Sequence, residues 1–407
     1  MLKVENEIGK LKRVLVHPPG KELLNLTPST LEELLFDDIP YLKKAQEEHE
    51  IFRGILEDHS VETFCLEELM AETLEQNPGL KDLFLDQYLK ESSITAPHYR
   101  ELVLEYFNAF KDPKELVLKT MEGISSKELE ICKTSCLVDV VNRDTQMIIN
   151  PMPNLYFTRD PFSVIGKGVS INKMHSATRS RETIYGDYII KHHEDFKDTK
   201  LYYGRDDLFS IEGGDIFNFS EKIIGIGISQ RTTPEAIQDI GMRLFYDFDT
   251  KVEKIIAFNI PSLRAFMHLD TVFTQIDKNA FLYHPGIMSS LRVFVLTKSS
   301  VSSRELKIRE ETGKLSDILS CHLELGNVKL FPCAGGDYIT SQREQWNDGS
   351  NTLAIAPKTL VVYDRNEATN EMLKEEGYTL LEMPSSELSR GRGGPRCMSM
   401  PLERENV

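Results

Sequence analysis

Of the six cysteines in the chain, Cys397 has the surroundings of a nucleophile. It closes the run Ser389-Arg390-Gly391-Arg392-Gly393-Gly394-Pro395-Arg396-Cys397-Met398. Glycines let the backbone approach a ligand closely, and neighbouring arginines favour the thiolate, which is the attacking form of the side chain. A free cysteine is otherwise among the most buried and inert residue types, so it is the flanking loop that singles this one out. An Arg–Gly run can also bind RNA, but here it occurs once in an acidic chain, which argues against that use.

Four further ionisable residues stand in short patterned segments. His268 and Asp270 lie in Phe266-Met267-His268-Leu269-Asp270-Thr271-Val272-Phe273. On a strand, residues two apart face the same side, which would put this pair in one site. Glu212 precedes Gly213-Gly214-Asp215 at a strand entry with room for a ligand, and Asp160 sits in Phe157-Thr158-Arg159-Asp160-Pro161. Taken singly, each has a plainer explanation. A lone histidine beside apolar residues is usually structural, Glu212 could belong to a turn, and Asp160 could pair with Arg159 at the surface.

The elements that must position these residues change that balance. Four segments follow one plan of acidic residue, apolar strand, tight turn and second apolar strand: TRDPFSVIGKGVSIN, GGDIFNFSEKIIGIG, HLDTVFTQIDKNAFLYH and GGDYITSQREQWNDGSNTLAIA. Their aspartates, Asp160, Asp215, Asp270 and Asp337, are separated by 55, 55 and 67 residues, the last gap stretched by a polar insert around Trp346. Gly-Lys-Gly, Ser-Glu-Lys and Asp-Lys-Asn supply the turns. Between hairpins, Thr233-Pro234-Glu235 has the cap and first-turn residues of a helix, and Glu367–Leu373 belongs to another that ends at Gly377.

Each unit is therefore strand–strand–helix–strand, and one unit alone cannot cover both faces of its sheet. A fifth unit can be assembled from the two ends, with a strand Lys12–His17 beside a C-terminal strand containing Cys397-Met398-Ser399-Met400. Joining the termini closes the ring and removes open sheet edges. The expected fold is α/β: a five-bladed propeller of ββαβ repeats with an inserted helical bundle. The propeller would span 1–66 and 136–407. Residues 67–135, with apolar spacings of three and four, would be the helical insertion.

In such a propeller, equivalent positions converge at one end of the axis. Asp160, Asp270, Glu212 and His268 would meet Cys397 in one cavity, which is costly unless they bind something. Carboxylates gathered around a cysteine and a histidine suit a planar cation such as a guanidinium, whose fork gives each carboxylate two parallel N–H bonds.

Competing chemistries are poorly supported. Cys132 and Cys136 are the one close cysteine pair, with no second pair to complete a metal site, and there is no phosphate-binding loop, dinucleotide fingerprint or HExxH. Neither a metal nor a cofactor is expected. The 407 residues carry a net charge of −16, which argues against a nucleic-acid partner. With 40% hydrophobic and 28% charged residues the chain has the composition of a soluble protein. No stretch reaches the roughly 20 apolar residues of a membrane span, and the charged N-terminus lacks a signal-peptide core. Few cysteines without framework spacing suit a reducing compartment, so a cytoplasmic location is expected, as is a homo-oligomer, dimer or tetramer.

These motifs, taken together, resemble the bacterial-type arginine deiminases of the guanidino-group-modifying superfamily. The resemblance runs nearly end to end, from Glu7-Ile8-Gly9-Lys10-Leu11 and Val14–Pro18 through Asn154–Pro161, Glu212–Asp215 and Met267–Phe273 to Gly391–Gly394 and Cys397–Pro401. That family's fold is the five-bladed α/β propeller (pentein fold) with a helical insertion. The resemblance implies hydrolysis of free L-arginine to L-citrulline and ammonia through a covalent thiouronium on Cys397. It makes His268 the acid that protonates departing ammonia and then the base for water. Asp160 and Asp270 would clamp the guanidinium, while Glu212 would assist at its inner nitrogen and orient His268. For the amino-acid end it implies Asn154, Phe157, Arg179, Arg231 and Arg392, with Arg181 competing with Arg179 for the carboxylate.

Two other readings remain open at this point. A sister activity, agmatine deiminase or dimethylarginine hydrolase, would use the same nucleophile, and a catalytically silent propeller would bind arginine without converting it. The arginine-bearing nucleophile loop and the helical insertion favour free arginine over the first, and the intact Cys–His–Glu–Asp set argues against the second.

Overall fold

The computed structural model describes residues 2–129, 147–300 and 304–407. Its repeating element is a short hairpin extended by a third, parallel strand. β5 (Phe162–Ile165) turns at Gly166, whose φ of +58° favours glycine, and returns as β6 (Gly168–Ile171). After the helix Thr183–His192 the chain adds β7 (Lys200–Tyr203) parallel to β6. Every residue of β5 and β6 is buried, so both faces of the hairpin are covered.

The plan recurs. β8 (Ile216–Ser220) and β9 (Ile223–Ile228) form a hairpin, and β10 (Lys254–Asn259) follows in parallel after the helix Pro234–Met242. Thr233 caps that helix by accepting the Ala236 N–H at 3.4 Å. The next unit is β11 (Phe273–Asp277), β12 (Ala280–Tyr283), the helix Leu315–His322 and β15 (Lys329–Pro332). An excursion after β12, β13 (Arg292–Lys298) and β14 (Leu306–Glu311), widens the neighbouring sheet beside β10. Then come β16 (Leu353–Ala356), β17 (Thr359–Tyr363), the helix Glu367–Glu375 and β18 (Thr379–Met383). Gly377, at φ +83°, ends the helix where the sequence places the stop.

The two chain ends build the remaining sheet, as the sequence predicts. β1 (Leu11–Val16) runs antiparallel to β19 (Met400–Arg404), with Leu15 opposite Met400, and parallel to β2 (Glu62–Cys65) after the helix Leu42–Asp58. Side-chain and backbone bonds carry each unit to the next. Asn218 donates to the Val164 carbonyl, the Leu269 N–H to Asp215, and Thr274 to the Ser350 carbonyl. β19 lies against β5 and β16 against β1, which closes the ring. The fold is thus an α/β propeller of ββαβ units.

Two details depart from expectation. Asp337 does not open a hairpin. Its carboxylate accepts the Thr340 N–H at 2.8 Å and caps the helix Tyr338–Trp346, because Ser341–Gln345 lacks the alternating apolar residues of a strand. The hairpin of that unit starts at Leu353. Cys397, expected in the terminal strand, lies in the turn before it, since β19 begins only at Met400.

Four helices, Leu66–Gln76, Leu80–Glu91, Pro97–Asn108 and Pro113–Glu122, pack beside the first hairpin unit. Phe84, Tyr88, Val103, Phe107 and Val117 share one apolar core with Phe162, Val164 and Tyr185. β3 (Ile124–Ser125) and β4 (Met147–Ile149) pair beyond them. A buried histidine joins this region to the ring. His17, just past β1, meets Glu67 at 2.8 Å and Glu22 at 3.5 Å. The expected boundary at 135 and the Cys132–Cys136 pair lie outside the described residues. Among the described residues, no helix is long and apolar enough to cross a membrane.

Candidate active site

The first strands of three consecutive units are entered through tight turns, and those turns carry the ionisable residues. Gly213–Asp215 and Leu269–Thr271 are single 3-10 turns, preceded by the extended residues Glu212 and His268. His268 and Asp270 therefore share a turn and not the strand that their spacing suggested. The glycines have steric reasons. A Cβ on Gly214 would sit 2.7 Å from the His268 ring, and one on Gly213 would collide with the Arg159 carbonyl. Asp215 braces the arrangement from behind by accepting from Thr232 at 2.6 Å, Ser229 at 2.7 Å and the Leu269 N–H at 2.7 Å. Gly227 leaves room for that carboxylate. Asp215 was legible only as a repeat marker.

His268 Nε2 lies 2.7 Å from Glu212 Oε2, and Nδ1 lies 3.8 Å from Asp160 Oδ1, all fully buried. Burial works against a charged imidazole, but the carboxylates of Asp160 and Glu212 outweigh it and hold His268 up at about 9. Burial likewise opposes a charged Glu212, and the hydrogen bond from His268 prevails and keeps that carboxyl below its usual range. The other oxygen of Glu212 accepts the His175 N–H at 2.9 Å. The pair is a hydrogen-bonded imidazolium and carboxylate.

Asp160 and Asp270 each have one oxygen hydrogen-bonded to an arginine and one that accepts no hydrogen bond. Asp160 Oδ2 takes Arg179 Nη1 at 2.7 Å, and Asp270 Oδ2 takes Arg396 Nη1 at 2.9 Å. Oδ1 of each is buried without a hydrogen-bond partner. Unmet acceptors of this kind are costly in a protein interior. The plainer alternative, a surface pairing of Asp160 with Arg159, is not seen: Asp160 is buried and Arg159 Nε donates to the Arg396 carbonyl.

Cys397 Sγ lies 3.6 Å from Asp270 Oδ2 and accepts from Asn351 Nδ2 at 3.1 Å. Burial, then Asp270, Asp160 and Asp348, push the thiol well above its usual range. The sequence suggested the opposite, a thiolate favoured by nearby arginines. Those arginines are engaged elsewhere: Arg390 pairs with Asp38 and Glu387, Arg392 lies 3.5 Å over the Trp346 ring, and Arg396 binds Asp270 and Glu7.

The residues implied for the amino-acid end divide. Arg231 and Arg392 are buried with guanidinium nitrogens lacking hydrogen-bond partners, Nε on Arg231 and both Nε and Nη1 on Arg392. Arg179 is already committed to Asp160 and, through Nε, to both oxygens of Glu182 at 3.1 and 3.0 Å. Arg181 points elsewhere, donating to the Asn150 carbonyl and to Ser92. Asn154 donates to the Leu34 carbonyl at 2.9 Å, and its own carbonyl lies 3.5 Å from Arg179 Nη2. Phe157 packs against Tyr156 with ring centroids 4.0 Å apart and planes tilted by 39°, and fills the space under Gly391 and Gly393.

Ligand atoms of Asp160, Glu212 and His268 fall within 4.8 Å of one another, close enough to hold a metal ion. A metal needs the neutral imidazole, whereas these carboxylates stabilise its proton, and Asp160 already has a cationic partner. The set fits proton transfer and cation binding better. Reading by residue type missed Arg396, although it is adjacent to Cys397, and Asp348 and Asn351, which sit in the polar insert.

Comparison with known proteins agrees with this geometry. The arginine deiminase family description matches residues 32–404. Arginine deiminase of Treponema denticola is 52% identical over all of this chain and 99% of that protein, and arginine deiminase of Clostridium perfringens is 48% identical over 100% and 98%. Among solved structures, SxtG, an amidinotransferase of Microseira wollei, superposes with a TM-score of 0.57 at 15% identity, covering 100% of this chain and 98% of that one. The N-terminal domain of ArgZ covalently bound to a reaction intermediate gives a TM-score of 0.53 at 13% identity, covering 96% and 98%. At such identities the structural likeness speaks for the fold. The chain belongs to the arginine deiminase family.

Proposed function

We propose that this protein hydrolyses free L-arginine to L-citrulline and ammonia, with Cys397 as nucleophile. The observation that carries the reading is the pair of unpartnered buried oxygens, Asp160 Oδ1 and Asp270 Oδ1, flanking the thiol and His268. A guanidinium supplies the N–H donors that both oxygens lack.

The thiol is held up by Asp270, Asp160 and Asp348, so a cation bound between the first two lowers the cost of ionising it. The thiol proton is released to solvent as the cation binds, and the thiolate Sγ then attacks the guanidinium carbon and an S–C bond forms. The proton on His268 passes to the departing nitrogen, which leaves as neutral ammonia, and a thiouronium remains on Cys397. His268, now neutral, takes a proton from water. The resulting hydroxide adds to the same carbon; collapse breaks the S–C bond, the hydroxyl proton passes to the departing sulfur to restore the thiol, and the ureido group of citrulline remains. Glu212 orients His268 throughout.

At the other end, the nitrogens of Arg231 and Arg392 that make no hydrogen bond suit the α-carboxylate, although Arg392 Nη1 also lies 3.7 Å from Asp37. Arg179 acts through Asp160, holding its second oxygen. The assay is colorimetric citrulline release from L-arginine by purified protein, with and without a chelator. Citrulline formation insensitive to chelation is expected; arginine binding without citrulline would revive the silent binder.

A further inference from the structure

Beside the Arg396–Asp270 ion pair, one amide side chain ties the backbone of the nucleophile turn to that of the clamp turn. Asn351 Oδ1 accepts the N–H groups of Arg396 at 3.1 Å and Cys397 at 3.2 Å. Its Nδ2 donates to the Asp270 carbonyl at 3.1 Å and to Cys397 Sγ at 3.1 Å. The amide cannot be reversed, because its NH₂ would then face two backbone N–H groups and its oxygen a carbonyl. Asn351 is fully buried, and a Cβ on Gly394 would lie 2.6 Å from its carbonyl, so the glycine before Pro395 lets the loop close onto it.

We infer that Asn351 is the positioning residue of the nucleophile, aiming Cys397 Sγ at the clamp and donating to the sulfur as it becomes anionic. This rests on Cys397 being the nucleophile. Two features make the role specific to an amide. The oxygen fixes the backbone on which Cys397 sits, in register with Asp270 across the site. The N–H to sulfur bond strengthens when sulfur carries charge, so it favours the thiolate against the three carboxylates that oppose it. No other described side chain donates a hydrogen bond to this sulfur.

Asn351→Asp keeps the acceptor for the two N–H groups and replaces the donor at sulfur by a charged oxygen. The readouts are iodoacetamide alkylation of the Cys397 peptide against pH, kcat and KM for arginine, and Tm. The expected result is an alkylation profile displaced to higher pH by one unit or more and a kcat at least tenfold lower, with KM changed less than threefold. An unshifted profile with kcat within threefold of wild type would overturn the assignment. Asn351→Ala, which removes donor and acceptor together, should lose at least as much kcat. If neither variant folds, selective ¹⁵N-asparagine labelling of the wild type reads the same contact. The Asn351 Nδ2 resonance must move when Cys397 is alkylated, and a fixed resonance would reject the contact. Failure of the nucleophile reading looks different: wild-type Cys397 would then resist alkylation at every pH, or its alkylation would leave turnover intact.

Discussion

Glu212 Oε2 and His268 Nε2 face each other at 2.7 Å in the interior, with the other imidazole nitrogen 3.8 Å from Asp160. In the proposed reaction this pairing decides how long the histidine keeps the proton passed to the departing ammonia. With the folded His268 raised to about 9, the acid form persists through neutral pH and is lost above it. In Glu212→Gln the imidazole loses a charged partner and its proton leaves at lower pH. The alkaline limb of kcat should therefore move down by about one unit or more. A pH–rate profile checks this, and an unmoved limb would detach it from His268.

Replacing either clamp carboxylate should be severe. Asp160→Asn and Asp270→Asn remove charge while keeping shape and a partner for Arg179 or Arg396. Each should lower kcat/KM at least 100-fold, about 2.7 kcal/mol of transition-state stabilisation. Retention of activity within threefold would mean that the carboxylate does not meet the reacting group.

The arginines at the other end should separate by substrate. On the proposed binding mode, Arg231→Leu and Arg392→Leu each remove a contact to a carboxylate that agmatine lacks. Such a contact is worth about 1.5–3 kcal/mol, so the preference for arginine over agmatine should narrow more than tenfold. Arg179→Leu should depress both substrates alike, since Arg179 holds Asp160. The ratios of kcat/KM decide it. A ratio unchanged in Arg231→Leu and Arg392→Leu would take those two away from the carboxylate, and a ratio that collapses in Arg179→Leu would place Arg179 there.

The junction between the helical region and the ring should be sensitive to alkali. Burial disfavours charge on His17, yet Glu67 and Glu22 raise it to about 10. A raised histidine stabilises fully below its unfolded value of about 6.5, and that stability is lost as pH rises toward 10. His17→Gln should lower Tm at pH 6–7 and flatten the fall of Tm between pH 7 and 10. An equal fall in both proteins would assign the alkaline loss to other groups.

Much of this site was legible because the fold repeats its own turns. The 55-residue spacing of Asp160, Asp215 and Asp270 pointed to both the hairpin unit and the convergence of its turns, and the need to close the ring without open edges allowed the termini to be paired. Side-chain commitments were not legible. Adjacency placed Arg390, Arg392 and Arg396 beside Cys397, but three-dimensional partners direct their charges to Asp38, Trp346 and Asp270. Burial, then the facing carboxylates, therefore raise the thiol rather than lower it. Asn351 and Asp348 were hidden in a polar stretch without periodicity, where nothing in the residue types shows that a loop folds inward. Asp337 misled because it shares the Gly-Gly-Asp signature of Asp215 while opening a helix.

The covalent step is the most direct test. Wild-type protein mixed with excess L-arginine, quenched in acid within one turnover and digested should yield the Cys397 peptide heavier by arginine less ammonia, with Cys333 unmodified. Cys397→Ser should give neither adduct nor citrulline while keeping its fold. An adduct on Cys333, or citrulline released by Cys397→Ser, would contradict the account.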